Sequence, residues 1–387
     1  MELDLDHAAT TPPRPEALAA FESYAHSANA SATHARGQRA RQRVEEARER
    51  VATALGCSPH EVVFTSGGTE ADNLAVKGVI WAARERDRSI TPHLVTTAVE
   101  HPAVLEPARW LAERGEARLS VVPPQPDGRI AIERVLDAVT SDTALVSVMT
   151  ANNELGAVND IPGLAASLAE RGIPLHTDAV QAIATQPVDV SAWGVSALAL
   201  SAHKIGGPQG VGIAVLARGL PVVPLSHGGG QDRGVRSGTF AVGLDAACGV
   251  ACEAAVAGRS ELAARLVAAT DRLAAALTDL EGVTRNGPRD PAWRLPSHLH
   301  LSLDGVDPVA LTIALDRAEI AASSGSACGA GAATESPVLA ATGTGGTPLR
   351  LSLGWTTTDA EIDEAIDRLT AVLSTLLPGR RRTPVDA

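Results

Sequence analysis

Short apolar runs alternate with helix-length segments through residue 220, and this rhythm constrains the fold more than any other feature of the chain. The runs are "EVVF" (61 to 64), "HLVTT" (93 to 97), "RLSVV" (118 to 122), "ALVSVM" (144 to 149), "ALALS" (197 to 201) and "VGIAVLA" (211 to 217). Between most of them lie segments such as 69 to 86, 103 to 114 and 160 to 171, whose apolar spacing near 3.6 residues fits one face of a helix. Helices in that position act as crossovers, and crossovers join parallel strands. The expected class is α/β, with a large, mostly parallel sheet and helices on both faces. From about residue 240 the pattern shifts to Ala-rich helices such as "SELAARLVAATDRLAAALTDL", followed by "HLHLSL", a helix near 308 to 316, "LRLSL" and a last helix. This predicts a large domain over 15–257 and a small α+β domain made of 1–14 with 258–387. The run "TGTGGTP" (342 to 348) reads as a mobile loop.

Composition narrows the function. Apolar residues make up 45% of the chain but aromatics only 2%, so Ala, Val and Leu must fill the core. A net charge of -12 argues against gripping nucleic acid or an anionic membrane with the whole surface. The arginines at 36, 39, 41 and 43, and "GRRR" at 379 to 382, read as a solvated face and a tail. The start, "MELDLDHAATTP", has no apolar leader, and no 18-residue uncharged apolar stretch occurs, so a soluble, cytoplasmic protein is expected. Four cysteines in so long a chain do not make a disulfide framework. Cys248 and Cys252 suit helix packing better than a metal site, and none is expected.

Several strand ends carry chemistry. Lys204, in "SAHKIGG", and Asp178, in "HTDAVQ", each follow a strand, and ligands in an open α/β sheet gather beyond the carboxyl ends of strands. A lysine able to form a Schiff base and an acid able to pair with a pyridinium nitrogen are the minimum for holding pyridoxal phosphate. The segment "FTSGGTEADN" offers a phosphate cradle, with Gly67 and Gly68 letting the backbone approach and Thr69 opening a helix. The alternative for Thr69 is a simple helix cap. His101, in "VEHPAV", is a flat imidazole that could stack on a ring and move protons. Cys328 stands in "ASSGSACGAG", stripped of every bulky neighbour, which suits either an ordinary Gly-rich loop or a thiol that must reach out.

Taken together with "LDHAATTP", "NNELG", "HGGGQDRGVRSGT" and "LRLSLGWTTT", these motifs resemble, in order over nearly the whole chain, the cysteine desulfurases of the class V aminotransferase family. The nearest subgroup is that of the bacterial iron-sulfur cluster desulfurases. The resemblance implies a fold type I pyridoxal-phosphate enzyme, with the larger domain binding the cofactor. It implies that Lys204 carries pyridoxal 5'-phosphate, that Asp178 pairs with the ring nitrogen, and that His101 stacks on the ring. Gln181 and Asn153 would address the phenolic oxygen side. Gly68, Thr69, Ser201 and His203 would hold the phosphate, completed by Thr239 lent from the neighbouring subunit of a homodimer. Arg350 would clamp the substrate carboxylate, with Asn29 and His34 nearby, and Cys328 would be the nucleophile.

The implied reaction converts L-cysteine to L-alanine and leaves a persulfide on Cys328 for an acceptor protein. Iron-sulfur assembly, tRNA thiolation and DNA phosphorothioation are all open as destinations. Competing readings are another pyridoxal-phosphate enzyme of the fold, such as a selenocysteine lyase or aminotransferase, and a non-catalytic sulfur-relay partner. The sequence departs from the family pattern at Ala30, where proline is usual, at Ala202, where glycine is usual, and at Gly206, where an aromatic is common. The stretch between Cys328 and Arg350 is also a few residues short.

Overall fold

The structure, a computed structural model, describes residues 2–324 and 336–377, so Cys328 and the basic run at 379–382 lie outside the described residues. In chain order the strands are β1 (Leu3–Asp4), β2 (Val62–Thr65), β3 (His93–Thr97), β4 (Arg118–Val122), β5 (Thr143–Ser147) and β6 (Leu175–Asp178). They continue with β7 (Ala197–Ser201), β8 (Gly212–Leu216), β9 (Val283–Asn286), β10 (His298–Leu303), β11 (Ile320–Ala321) and β12 (Thr347–Ser352).

The seven-stranded sheet has the order β2-β8-β7-β6-β5-β3-β4. Pairings among β3 to β7 are parallel, while β8 runs antiparallel to both β7 and β2. Two reversals in succession restore the original direction. The carboxyl ends of β2, β3, β5, β6 and β7 therefore share one edge, and the site is built there.

Alternate residues of each strand supply opposite faces of the sheet. Ala197, Ala199 and Ala214 pack with Ala71, Leu74 and Ala75 of helix Gly68–Arg86. Leu198, Leu200 and Ile213 join a second cluster with Val44, Val51 and Leu55 of helix Ala35–Leu55 and with Ala247 and Cys248 of helix Val242–Ala257. The expected α/β class, with helices on both faces, is the observed one. Small residues let the outer helices approach closely: a Cβ added to Gly249 would lie 2.9 Å from the carbonyl oxygen of Ala47. Cys248 and Cys252 are buried and free in this seam, and no metal-binding cluster occurs among the described residues.

Beyond residue 258 the antiparallel sheet β12-β10-β9 is backed by helices Arg259–Thr278 and Asp359–Leu376, whose Leu266, Leu273 and Leu369 share a core with Leu299, Leu301 and Leu351. Leu3 and Leu5 enter the same core because β1 pairs with β11. Residues 3–5 are thus fixed within this second core. The run 342–348 is bounded by regular structure, with residues 343–346 as a short connection between a helix and a strand. Gly343, at φ +70°, caps helix Pro337–Thr342, and β12 begins at Thr347, because glycine takes the left-handed cap without strain. No described helix is long and apolar enough to cross a membrane.

Candidate active site

A cavity of about 280 Å³ opens at the shared strand edge, lined by Gly68, Thr69, His101, Asn153, Asp178, Gln181, Ser201, His203, Lys204 and Arg350. Ten residues singled out from the sequence thus converge from six separate stretches of chain. Several of them sit where a strand or helix begins or ends, whereas Arg350 lies within β12. Asp178 ends β6, Ser201 ends β7, and Lys204 ends the single 3-10 turn that follows it. His101 precedes helix Pro102–Glu113, and its Nδ1 caps it by accepting from the Ala103 amide at 3.1 Å. Proline at the first helical position fixes where that helix starts.

The cradle is formed by close backbone approach. Helix Gly68–Arg86 starts directly after the turn that follows β2, with Gly67 in the cap position, so Thr69 is inside the first turn and is not the cap. A Cβ on Gly68 would press within 3.1 Å of Val180 and 3.4 Å of Ser201. First-turn amides of a helix have no intrahelical acceptor and favour an anion. Thr69, Ser201 and His203 add side-chain donors at the same cavity.

Lys204 Nζ donates to the carbonyl oxygens of Ala8 (2.5 Å) and Ala9 (2.6 Å). Gln181 Nε2 also donates to Ala8, at 3.0 Å. Arg350, only 5% exposed, donates from Nη2 to Asp6 Oδ1 at 2.7 Å and from Nη1 to the carbonyl of Asn153 at 2.9 Å. The N-terminal segment 6–9 therefore touches both cations.

Asp178 is buried, and burial raises its carboxyl above the usual range, partly offset by His101, the Val180 amide (2.9 Å) and Lys204. Behind it lie two further buried acids. Burial and the negative neighbours Asp178 and Glu100 push Asp72 well up, and burial lifts Glu100 to about 8. With little cationic charge available, the three acids cannot all ionise together. Asp178, which faces His101 and Lys204, is the one best placed to hold the charge. His101 is pushed below its ordinary value by burial. His203 falls to about 4, from burial and the nearby Lys204. Both rings are neutral at pH 7.

Thr239, Asn29 and His34 do not line this cavity. Asn29 Oδ1 accepts from the Ser31 amide at 2.8 Å, and His34 caps helix Ala35–Leu55 by accepting from the Gly37 amide at 3.2 Å. Both side chains serve their own turns in this chain. Sequence reasoning had overlooked Asp6, Ala8, Ala9 and Asp72. Asp72 had a readable signal, since it stands three residues after Thr69 and so shares its helix face. Ala8 and Ala9 act through carbonyls, which leave no mark in residue type. Gly206, at φ +83° with Arg14 packed beside it, occupies a left-handed position that suits glycine.

A buried strand-end acid, a strand-end lysine and a donor-lined cradle on a mostly parallel sheet define an α/β enzyme fold built to hold a flat, phosphorylated, cationic ring. The family model described as "Aminotransferase class-V" matches residues 4–365, and the chain belongs to that family, whose members depend on pyridoxal phosphate. An "IscS-like cysteine desulfurase" from Mycobacterium tuberculosis is 44% identical over 376 residues, 94% of each chain. Among solved structures, a "NifS-like protein" superposes with a TM-score of 0.89 at 32% identity, covering 97% of this chain and 100% of that one. "SspA in complex with cysteine" does so with 0.79 at 31% identity, covering 91% and 98%.

Proposed function

We propose that the protein is a pyridoxal-phosphate-dependent cysteine desulfurase: L-cysteine and the Cys328 thiol yield L-alanine and a Cys328 persulfide. The balance is a transfer of one sulfur atom, with the substrate C–S bond breaking, an S–S bond forming and a proton replacing sulfur on the alanine carbon. The observation that carries this reading is the meeting of Lys204, Asp178, His101 and Arg350 in one cavity, beside relatives named for that activity.

The residues fit the cofactor. The Gly68 cradle, where a Cβ would crowd Val180 at 3.1 Å, suits a phosphate held by backbone amides, with Thr69, Ser201 and His203 as donors. Asp178, a buried carboxylate with one amide partner, suits a protonated ring nitrogen. Gln181 and Asn153 would address the ring oxygen, and His101 would lie against the ring face. When bound at Lys204, the cofactor supplies an electron sink for the pair left on the substrate α-carbon.

The chain's own groups do the rest. Lys204 Nζ, released from the Ala8 and Ala9 carbonyls, takes the α-proton and returns it. Neutral His101 can accept the proton of a thiol. Arg350 fixes the substrate carboxylate and so the plane of reaction. Cys328, as thiolate, attacks the substrate sulfur.

Purified protein given L-cysteine should release alanine and carry an additional sulfur on Cys328, read by mass spectrometry of the Cys328 peptide. Borohydride should fix the cofactor to Lys204. Persulfide found chiefly on Cys57, Cys248 or Cys252 would refute the assignment. The surroundings of the other thiols argue the same way: burial pushes Cys57 up to about 12, and a hydrogen bond with Cys252, together with burial, raises Cys248 above its usual value.

A further inference from the structure

Arg350 is paired before any substrate arrives. Its Nη2 is bound to Asp6 at 2.7 Å, its Nη1 to the Asn153 carbonyl, and its buried Nε–H has no partner among the described residues. His300, opposite Arg350 in the strand ladder, and His298 are held neutral, at about 4 and about 3, by burial and by Arg350 itself. Glu154, also close enough to feel Arg350, is pushed towards its neutral form by burial and accepts from Ser336 Oγ at 2.6 Å, not from the guanidinium. Among the described residues, Asp6 is the one carboxylate in hydrogen-bond contact with this cation.

The position of Asp6 is imposed by the backbone. Asp6 bridges to Ser352, the His7 amide donates to the Ser352 carbonyl at 3.2 Å, and the Ala8 amide donates to Ser352 Oγ at 2.9 Å. His7, held against Thr11 at 2.7 Å, locks the next residue. The Asp6 backbone is therefore part of a fixed frame, which keeps its carboxylate within reach of Arg350.

We propose that Asp6 is an affinity-setting positioning residue, the resident counter-ion of the substrate carboxylate site. It places a standing electrostatic penalty on every incoming carboxylate, because two anions must then share one guanidinium. An α-amino acid, anchored a second time through its amino group, overcomes that penalty. A simple carboxylate has no second anchor and is kept out. The inference rests on the reading of Arg350 as the carboxylate clamp.

The test measures KM and kcat for L-cysteine, and the inhibition constant of propionate, in Asp6→Asn, Asp6→Glu and Arg350→Ala. Asparagine keeps an oxygen that can accept from Nη2 and removes the charge. The propionate constant should fall about three- to tenfold in Asp6→Asn, with KM for cysteine falling in step. Asp6→Glu, which restores the charge, should return both towards wild type. Unchanged or weaker propionate binding in Asp6→Asn, with Arg350→Ala still impaired, overturns the role of Asp6 alone. Unchanged constants in Arg350→Ala overturn the carboxylate reading of Arg350 and the inference with it. If Asp6→Asn fails to fold, Asp6→Ser removes the same charge and must show the same tightening.

Discussion

Glu100 shows how a single buried proton couples this site to stability. Its Oε1 accepts from Thr97 Oγ1 at 2.8 Å and from the Met149 amide at 2.9 Å, while Oε2 has no partner among the described residues. Burial raises the folded pKa to about 8 from an ordinary 4.5. Between these values the folded chain holds a proton that the unfolded chain has lost, so stability falls as pH rises through the window and the loss is complete above about 8. Glu100→Gln mimics the protonated form and keeps both accepted hydrogen bonds. Thermal melts from pH 5 to 8.5 should therefore fall less steeply in the variant, by on the order of a few kcal/mol across the window. Parallel slopes for the two proteins would show that Glu100 does not hold this proton. A second residue-scale expectation concerns Arg350. Truncation to Ala should lower kcat/KM for cysteine by about 2 to 5 kcal/mol, the scale for removing one partner of a buried charge pair, and an unchanged value would remove Arg350 from substrate binding. Side chains of this kind were legible in the sequence, because Lys204, Asp178, His101 and Arg350 carry their chemistry in their type. Asp6 was not, because its role depends on which neighbours the fold supplies, and Asp72 showed only through its spacing from Thr69.

At the scale of elements, the site depends on one backbone contact between β8 and the cradle. A Cβ on Gly212 would lie 2.4 Å from the Gly67 carbonyl carbon and 2.7 Å from the Leu200 carbonyl oxygen. Both are backbone atoms flanked by strands, so neither can rotate aside. Gly212→Ala must push β8 and the Gly67–Gly68 turn apart, spoiling the cradle before it spoils the core. The expected outcome is a cofactor dissociation constant at least about tenfold weaker, with a stability loss of about 1 to 3 kcal/mol; equilibrium titration of cofactor-free protein reads the first and denaturant melts the second. Wild-type affinity would show that the turn tolerates displacement. The central strands were easy to find because β7 and β8 are buried along their whole length and so appear as nearly continuous apolar runs. The reversal of β8 was also implicit, since the nine-to-ten-residue link from Ser201 leaves no room for a crossover helix. The two-residue β1 and β11, and β9 with one buried residue in "VTRN", carry too little pattern to be seen. They exist because neighbours supply their hydrogen bonds.

At the scale of the whole molecule, the segment "HGGGQDRGVRSGT" determines whether one chain can make a complete site. It is fastened to its own subunit twice: Arg48, buried, pairs with Asp232 at 2.6 Å, and Arg236 donates to Glu70 Oε1 at 2.9 Å in the cradle helix. Thr239, three residues beyond Arg236, nonetheless remains exposed and outside the cavity that collects the other phosphate donors. We propose that this exposed residue serves a second copy across a two-fold axis, where each subunit gives what it receives. On this reading Lys204 and Thr239 of one chain act in different sites. Mixing Lys204→Ala chains with Thr239→Ala chains then yields a hybrid dimer with one site carrying both lesions and one carrying neither. Each variant alone should be nearly inactive in alanine production, and the mixture should recover about half the activity per hybrid dimer. If Thr239 acted within its own chain, every site in the mixture would keep one lesion and no activity would return. Failure of complementation after subunit exchange has been verified by mass, or full activity in a sedimenting monomer, would sink the shared-site dimer.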